Sequence, residues 1–339
     1  MAKEARHHHY IPQCYLRGFT VGSGKRRRVT VANLASRRFF ETNPRNVGGV
    51  RDFNRINIEG FAPDALEGML AHFEGEVATA IRNVAESHRF EGNDRNAILN
   101  LITLLAIRSP QQRENIRQFE EQLMKQVLGL SLATKERWES QLSQMKKAGY
   151  EVNEALSYED MVAFYKKDEY DIRLNNEHYI ALETKTHDAL LKVLAQRKWK
   201  LHVATEDKGC FVTTDRPVVI TWNHPEEIPV MMRASPGFGM TDTEVLFPVT
   251  QHLLLLGTFE GEDGTVEAVP ELVAVANLRT IEHSYGNVYT PKKVFPYVGP
   301  DRKCYHDRHF MERFDSLLKE REKSEEEAAK SASHSPESL

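Results

Sequence analysis

The stretch WKLHVATEDKGCFVTTDRPVVITW, residues 199–222, decides the fold class. Apolar and polar residues begin to alternate there with the period of two that is typical of β-strands. Similar stretches continue to residue 256. Together they predict the strands of one antiparallel sheet, at 200–204, 210–214, 217–221, 243–247 and 252–256.

Upstream of this stretch, apolar residues recur at steps of three and four, the period of amphipathic helices. The break at Ser109 and Pro110 predicts either a kink or the start of a new helix there. Ser157, three residues before Asp160, resembles a helix N-cap. The predicted helices cover 66–84, 93–105, 110–127, 135–148, 157–167 and 176–197, with two more at 271–285 and 305–323. Residues 324–339 have few apolar groups and are predicted to be disordered.

These patterns predict an α+β fold with a small basic β module, a helical middle and a mostly antiparallel sheet with a covering C-terminal helix. The predicted division is a β-rich module at 1–60, a helical region at 61–198, the sheet region at 199–323 and the tail. We expect 61–323 to form one globular unit on which the N-terminal module is docked.

The composition excludes several classes of protein. Apolar residues make up 40% and charged residues 28%, values of a globular chain with a sizeable core. The three cysteines have no CxxC spacing, which excludes a disulfide scaffold and is typical of a reducing compartment. The most apolar run, 97–107, is too short to span a bilayer, and no apolar signal core follows the start. We therefore expect a cytoplasmic protein with no membrane partner.

Charge is distributed unevenly along the chain. Residues 1–55 contain twelve Lys and Arg against three acidic residues, although the whole chain has a net charge of −4. A basic surface attracts polyanions. The candidate nucleic-acid-binding residues are Lys25, Arg26, Arg27, Arg28, Arg37 and Arg38. The alternative is that this basic segment docks onto the acidic remainder of its own chain.

The opening stretch HHYIPQCYLRGF, residues 8–19, resembles the His-Tyr-x-Pro-x-x-Tyr-Leu-x-x-Phe signature of a bacterial family, domain of unknown function 4238. Further motifs match in the family's order: NPRNV at 43–47, RDF at 51–53, RSPQQR at 108–113, FVTTDRP at 211–217 and LFPVT at 246–250. The resemblance covers about residues 7–292. It implies one coherent fold, and the family has no settled activity to transfer.

The same opening stretch is also similar to the first strand of an HNH-type nuclease. In that chemistry one side chain binds a divalent metal and the next histidine activates water against a phosphodiester. The similarity assigns His8 to a Mg²⁺ or Mn²⁺ ion and His9 to the general base. Asp52, in a loop after Gly48 and Gly49, is the second candidate ligand; the alternative is that it caps a turn or pairs with a nearby arginine. The later histidine of that motif is missing here. The alternative is that His9 and Tyr10 are buried and bonded to the backbone, while His7 and His8 face solvent.

Asp215 is a second catalytic candidate. It lies in the segment Thr213–Pro217 between two predicted strands, where it either faces a ligand or stabilises a turn. No Walker loop, GxGxxG, HExxH or GxSxG motif is found in the sequence. The leading hypothesis is therefore nucleic-acid binding with metal-dependent cleavage. The alternative is a non-enzymatic regulatory or defence-associated interaction protein in which the histidines are structural.

Overall fold

The computed structural model describes residues 6–153 and 155–319. The predicted tail at 324–339 lies outside this range. The described chain is an α+β protein, which confirms the predicted fold class. No helix in the described ranges is both long enough and apolar enough to cross a bilayer.

The strands are short and lie mainly at the two ends of the chain. In chain order they are β1 (His7–His9), β2 (Val29–Asn33), β3 (Arg38–Thr42), β4 (Gly49–Arg51), β5 (Lys198–Val203), β6 (Thr213–Thr214), β7 (Val219–Trp222), β8 (Thr243–Thr250), β9 (Leu253–Thr258), β10 (Gly264–Glu267), β11 (Asn287–Thr290), β12 (Tyr297–Val298) and β13 (Cys304–Tyr305).

The helices fill the middle of the chain, as predicted. They are α1 (Gln13–Leu16), α2 (Ala65–Ser87), α3 (Gly92–Ile107), α4 (Pro110–Ser131), α5 (Lys135–Lys147), α6 (Tyr158–Lys167), α7 (Asn176–Gln196), α8 (Val230–Arg233) and α9 (Pro270–Glu282). The predicted break before Pro110 is confirmed, and so is the Ser157 cap, whose hydroxyl accepts the Asp160 N–H at 3.0 Å. A further helix follows α9 and begins at residue 310. This is five residues later than the predicted start at 305, because residues 304–305 form β13.

The predicted single sheet is wrong, because the strands form two larger sheets. One has the order β10-β5-β9-β8-β7 and is antiparallel except for the β10–β5 pair. The other is antiparallel with the order β3-β2-β11-β6. The segment 210–214 thus contributes β6 to the second sheet, together with two N-terminal strands. Alternation predicts a strand but carries no information on which strands pair.

The opening motif attaches the N-terminus to the core. Tyr15, Leu16 and Phe19 are completely buried. The Tyr15 ring stacks on Phe247 at 5.2 Å, and its hydroxyl donates to the Pro248 carbonyl at 2.7 Å. A buried tyrosine needs such a partner for its hydroxyl. The aromatic residues of the motif are therefore explained by packing.

The chain forms two compact units. The first consists of the described residues of Met1–Ser109 and Ile180–Leu339, and the second is Pro110–Tyr179. All residues of the three apolar core clusters belong to the first unit. The predicted boundaries at residues 60 and 198 both fall inside the first unit, and that division stays a prediction.

Candidate functional site

The three histidines of β1 do not share a side of their two-stranded sheet. β1 pairs antiparallel with β4, and His8 lies opposite Val50. Because successive side chains of a strand point to opposite faces, His8 points away from His7 and His9. His8 is buried with 1% exposure, whereas His7 is exposed and His9 is half-buried. This reverses the expectation that His8 faces solvent.

His8 belongs to a buried polar network made by His8, Asn54, Glu67, Arg108 and Glu183. Its Nδ1 accepts the backbone N–H of Asn54 at 2.8 Å and lies 3.9 Å from a Glu67 carboxylate oxygen. The Asn54 side chain donates to Glu67 and accepts from Arg108. One His8 ring nitrogen is therefore already engaged by the backbone.

Arg108 is the charged centre of this network. It is 4% exposed, and its Nε lies 3.8 Å from a Glu183 carboxylate oxygen. Its guanidinium also lies over the Phe53 ring at 5.4 Å. A buried charge is tolerated when it is paired and hydrogen-bonded, and these partners meet that requirement.

His9 faces the other way, toward the segment that carries Arg45. Its Nε2 lies 3.1 Å from the Arg45 carbonyl oxygen. Burial lowers the pKa of His9, and the hydrogen bond to that carbonyl opposes part of the shift. Burial thus favours the neutral form of His9, which a general base needs, but its Nε2 is bonded to the backbone.

Asp52, the second metal-ligand candidate, has an unusual backbone. Its φ of 57° is left-handed, and its N–H donates to the Arg6 carbonyl at 2.8 Å. One carboxylate oxygen lies 3.4 Å from Arg51 Nε. The other, Oδ1, is buried and has no hydrogen-bond partner in the described chain. Buried polar atoms are rarely left so, and this atom is the one feature of Asp52 that suits a ligand.

Neither His8 nor Asp52 belongs to a three-ligand cluster. Across residues 6–153 and 155–319, the group of His, Cys, Asp or Glu ligand atoms that all lie within 4.8 Å is the exposed trio His224, Glu226 and Glu227. The assignment of His8 and Asp52 as metal ligands therefore stays a hypothesis, since no third ligand completes their coordination within the described ranges.

Asp215, the second catalytic candidate, is buried and fully hydrogen-bonded. Its Oδ1 accepts the Tyr285 N–H at 2.7 Å, and its Oδ2 accepts the Asn287 N–H at 3.0 Å. Burial raises its pKa, and these hydrogen bonds oppose the shift. The carboxylate joins the end of β6 to Tyr285 in the turn before β11 and to Asn287 at the start of β11. It thus holds a distant segment and not its own turn, and its catalytic assignment stays a prediction.

A basic cleft lies on the first unit, between α1 and the segment that follows β3. It has a volume of about 560 Å³ and shares the lining residues Gln13, Arg17, Gly24 and Asn43 with a neighbouring recess of about 300 Å³. We define the basic cleft as the cleft and this recess together; its cationic lining residues are Arg17, Lys25, Arg28, Arg45 and, from the recess alone, Arg27, and its amide residues are Gln13, Asn43 and Asn46. Glu41 is the acidic residue of the lining.

The cations of the basic cleft are not neutralised at short range. Within the described ranges, none of the five forms an ion pair with a carboxylate within 4.0 Å. The guanidinium of Arg28 donates hydrogen bonds to the backbone carbonyls of Lys25 and Arg27. By contrast, Arg37 pairs with Asp315 at 3.1 Å. The alternative that the basic segment docks onto acidic residues of its own chain therefore fits Arg37 but not the cations of the basic cleft.

The basic cleft contains half of the predicted nucleic-acid-binding residues. Lys25, Arg27 and Arg28 line it, whereas Arg26, Arg37 and Arg38 are absent from the lining. Arg26 does not lie on a strand, because Gly24–Arg26 forms a 3₁₀ turn. Sequence reasoning missed the contribution of Arg17 and Arg45.

A signal for the two missed arginines was present in the sequence. Arg17 belongs to the opening signature and Arg45 to the NPRNV motif. Asn43, from the same motif, accepts the Arg45 N–H at 3.1 Å and so fixes the 3₁₀ turn Pro44–Asn46 that carries this arginine. The two motifs would predict the cleft if each was assumed to contribute an arginine to the same site.

Comparison with known proteins gives a family but no activity. The model of a family described as "Protein of unknown function (DUF4238)" matches residues 7–293. No curated protein and no solved structure matches the chain. The match covers most of the chain and confirms the resemblance that the opening signature predicts: the chain belongs to the DUF4238 family.

Proposed function

We propose that this protein binds the phosphate backbone of a nucleic acid in the basic cleft. The observation that carries the proposal is the convergence of five cationic side chains on one cleft without a carboxylate partner within 4.0 Å in the described ranges. Such cations attract phosphates and release their counterions on binding. The amide of Gln13 adds a neutral donor and acceptor for sugar, phosphate or base edges.

Metal-dependent cleavage is the second candidate, and the buried oxygen of Asp52 that lacks a hydrogen-bond partner is the observation that favours it. It requires His8 and Asp52 to hold Mg²⁺ or Mn²⁺ and His9 to give up its bond to the Arg45 carbonyl. The engagement of His8 by Asn54 and of Asp215 by Tyr285 favours binding without cleavage. We therefore rank cleavage below binding.

The binding proposal is tested by fluorescence anisotropy with labelled single- and double-stranded DNA and RNA between about 50 and 200 mM KCl. We expect the Arg28→Glu, Arg45→Glu double variant to bind about tenfold more weakly and to lose about two units of salt slope. The matched control is Arg82→Glu, an exposed arginine of α2 outside the cleft lining. Wild-type affinity that does not change with salt, or an equal loss in the control, would remove the cleft from the proposal.

Cleavage is tested separately on plasmid DNA and RNA with Mg²⁺ or Mn²⁺. If the second candidate is right, His9→Ala and Asp52→Asn abolish cleavage but keep the salt-dependent binding of the wild type. Cleavage that persists in His9→Ala removes His9 from the chemistry. Binding without cleavage by the wild type leaves the histidine motif in a structural role.

A further inference from the structure

The cations of the basic cleft come from three separate chain segments. Arg17 follows α1, Lys25 and Arg28 belong to the loop before β2, and Arg45 lies in the 3₁₀ turn after β3. All four residues are exposed, and they line the same space of about 560 Å³. They therefore surround one small space from different directions instead of following one line across the surface.

The lining gathers positive charge in a small volume. Four cations and one carboxylate, that of Glu41, line the larger space, which leaves a balance of three positive charges. The nearby basic residues Arg26, Arg37 and Arg38 are absent from the lining, and Arg37 is paired with Asp315. A strand bound along its length needs a cationic groove that follows several successive phosphates. The charge distribution of the cleft instead favours a ligand with more than one negative charge on a single group.

The size and the chemistry of the lining also restrict the ligand. Volumes of about 560 Å³ for the larger space and about 300 Å³ for the recess are those of small-molecule pockets. In the described chain, no aromatic side chain lines either space. Proteins that hold the interior of a single strand stack its bases on aromatic side chains, and those that read a duplex insert a helix or ribbon into its groove. A concave lining of cations and amides is suited to neither.

A terminal phosphate fits this lining better than an internal one. An internal phosphodiester carries a single negative charge and has two free oxygens. A terminal phosphomonoester carries close to two charges at pH 7 and presents three acceptor oxygens. Cations that approach from three segments can bond to three oxygens at once, and an arginine can donate two parallel hydrogen bonds to one phosphate.

We propose that the basic cleft recognises the terminal phosphomonoester of a nucleic-acid strand. This assignment rests on the proposed function and names the part of the nucleic acid that the cleft holds. The terminal phosphate lies in the larger space, and Arg17, which lines both spaces, bonds to it where they meet. The recess, lined by Arg17 and Arg27, has fewer cations and receives the first internal phosphate with its single charge.

Competition binding with matched oligonucleotides tests the assignment. Short unlabelled strands displace a labelled strand, and they differ only in one end, which is a hydroxyl, a phosphate or a methyl phosphate, at the 5′ or the 3′ position. We expect the phosphate to bind about tenfold more tightly than the hydroxyl at one of the two ends. The methyl phosphate keeps the phosphorus but carries one charge, so it should lose most of this gain.

Variants of the lining give a second readout. Arg17→Gln should reduce the preference for phosphate over hydroxyl to less than about threefold, whereas Arg82→Gln, at an exposed position of α2 outside the lining, should keep it. Glu41→Gln removes the carboxylate of the lining and should tighten binding of the phosphorylated strand by about two- to threefold. Such a gain cannot come from loss of folding.

Failure of the terminal assignment is distinguishable from failure of the proposed function. Salt-dependent binding with equal affinity for phosphate and hydroxyl ends keeps backbone binding and overturns the terminal assignment. Absence of binding to every strand removes both. A nucleoside monophosphate that competes as strongly as the phosphorylated strand assigns the cleft to a small phosphomonoester and overturns its assignment to a strand end.

Discussion

The basic cleft and the buried polar network both use arginine and amide side chains, but in opposite surroundings. In the network, Arg108 is 4% exposed and surrounded by Asn54, Glu183 and Phe53. In the cleft, Arg28 is exposed and bonded to backbone carbonyls alone. The comparison shows that the carboxylates within reach decide whether an arginine side chain is neutralised inside the fold or keeps its charge at the surface.

The strongest test of this comparison exchanges each arginine for a side chain of similar length without charge. Arg108→Met leaves the Glu183 carboxylate and the Asn54 amide buried without their cation, so we expect the free energy of unfolding to fall by about 3–5 kcal/mol. Arg28→Met removes an exposed charge, and we expect a change within about 0.5 kcal/mol. Urea denaturation of both variants measures the difference. Equal losses of unfolding free energy would contradict the distinction between the buried network and the basic cleft.

A smaller effect is expected within β1 itself. His8→Ala leaves the buried Asn54 N–H without its acceptor, which should cost about 1–3 kcal/mol of stability. His7→Ala, on the exposed side of the same strand, should change it by less than about 0.5 kcal/mol. Thermal and urea unfolding distinguish the two. If instead Mg²⁺ or Mn²⁺ stabilises the wild type and this gain is lost in His8→Ala, His8 is a metal ligand and its structural role is wrong.

The smallest expected effect is the pH dependence that comes from His9. Because its pKa is lowered in the folded chain, the neutral form is favoured by folding. The corresponding stability is fully present above the ordinary pKa near 6.5 and is lost as the pH falls through the lowered value. We expect the wild type to lose more stability between about pH 7.5 and 5 than His9→Gln does. The exposed His72→Gln serves as the control, and the same pH profile in wild type and His9→Gln would contradict the assignment.

The sequence predicted the fold class and most helices because their periodicity is local. Nearby residues determine three of these features: the helix cap at Ser157, the break before Pro110 and the helix α9. The transfer of β6 to the other sheet could not be predicted, since it depends on pairing with β11 more than 70 residues away. Sheet partners are chosen by packing and not by alternation.

The sequence indicated the basic charge of the N-terminal segment but not where each cation lies, and nucleic-acid binding stays a prediction. The basic segment predicted a cationic surface, and Lys25, Arg27 and Arg28 do line one cleft. Arg17 and Arg45 join it only through the folding of α1 and of the turn after β3. The burial of His8 is set by its pairing with β4, about 40 residues away, and a strand of three histidines gives no indication of which ring faces inward.

The pairing of β2 with β11 has a consequence for synthesis of the chain. Val31 of β2, the strand that follows Arg28, is in register with Tyr289 of β11. The sheet that contains β2 and β3 can therefore be completed only after residue 290 has been synthesised. Contacts of such large sequence separation form late. A prematurely terminated chain that ends before β11 would therefore carry every residue that lines the cleft but lack the strand that pairs with β2.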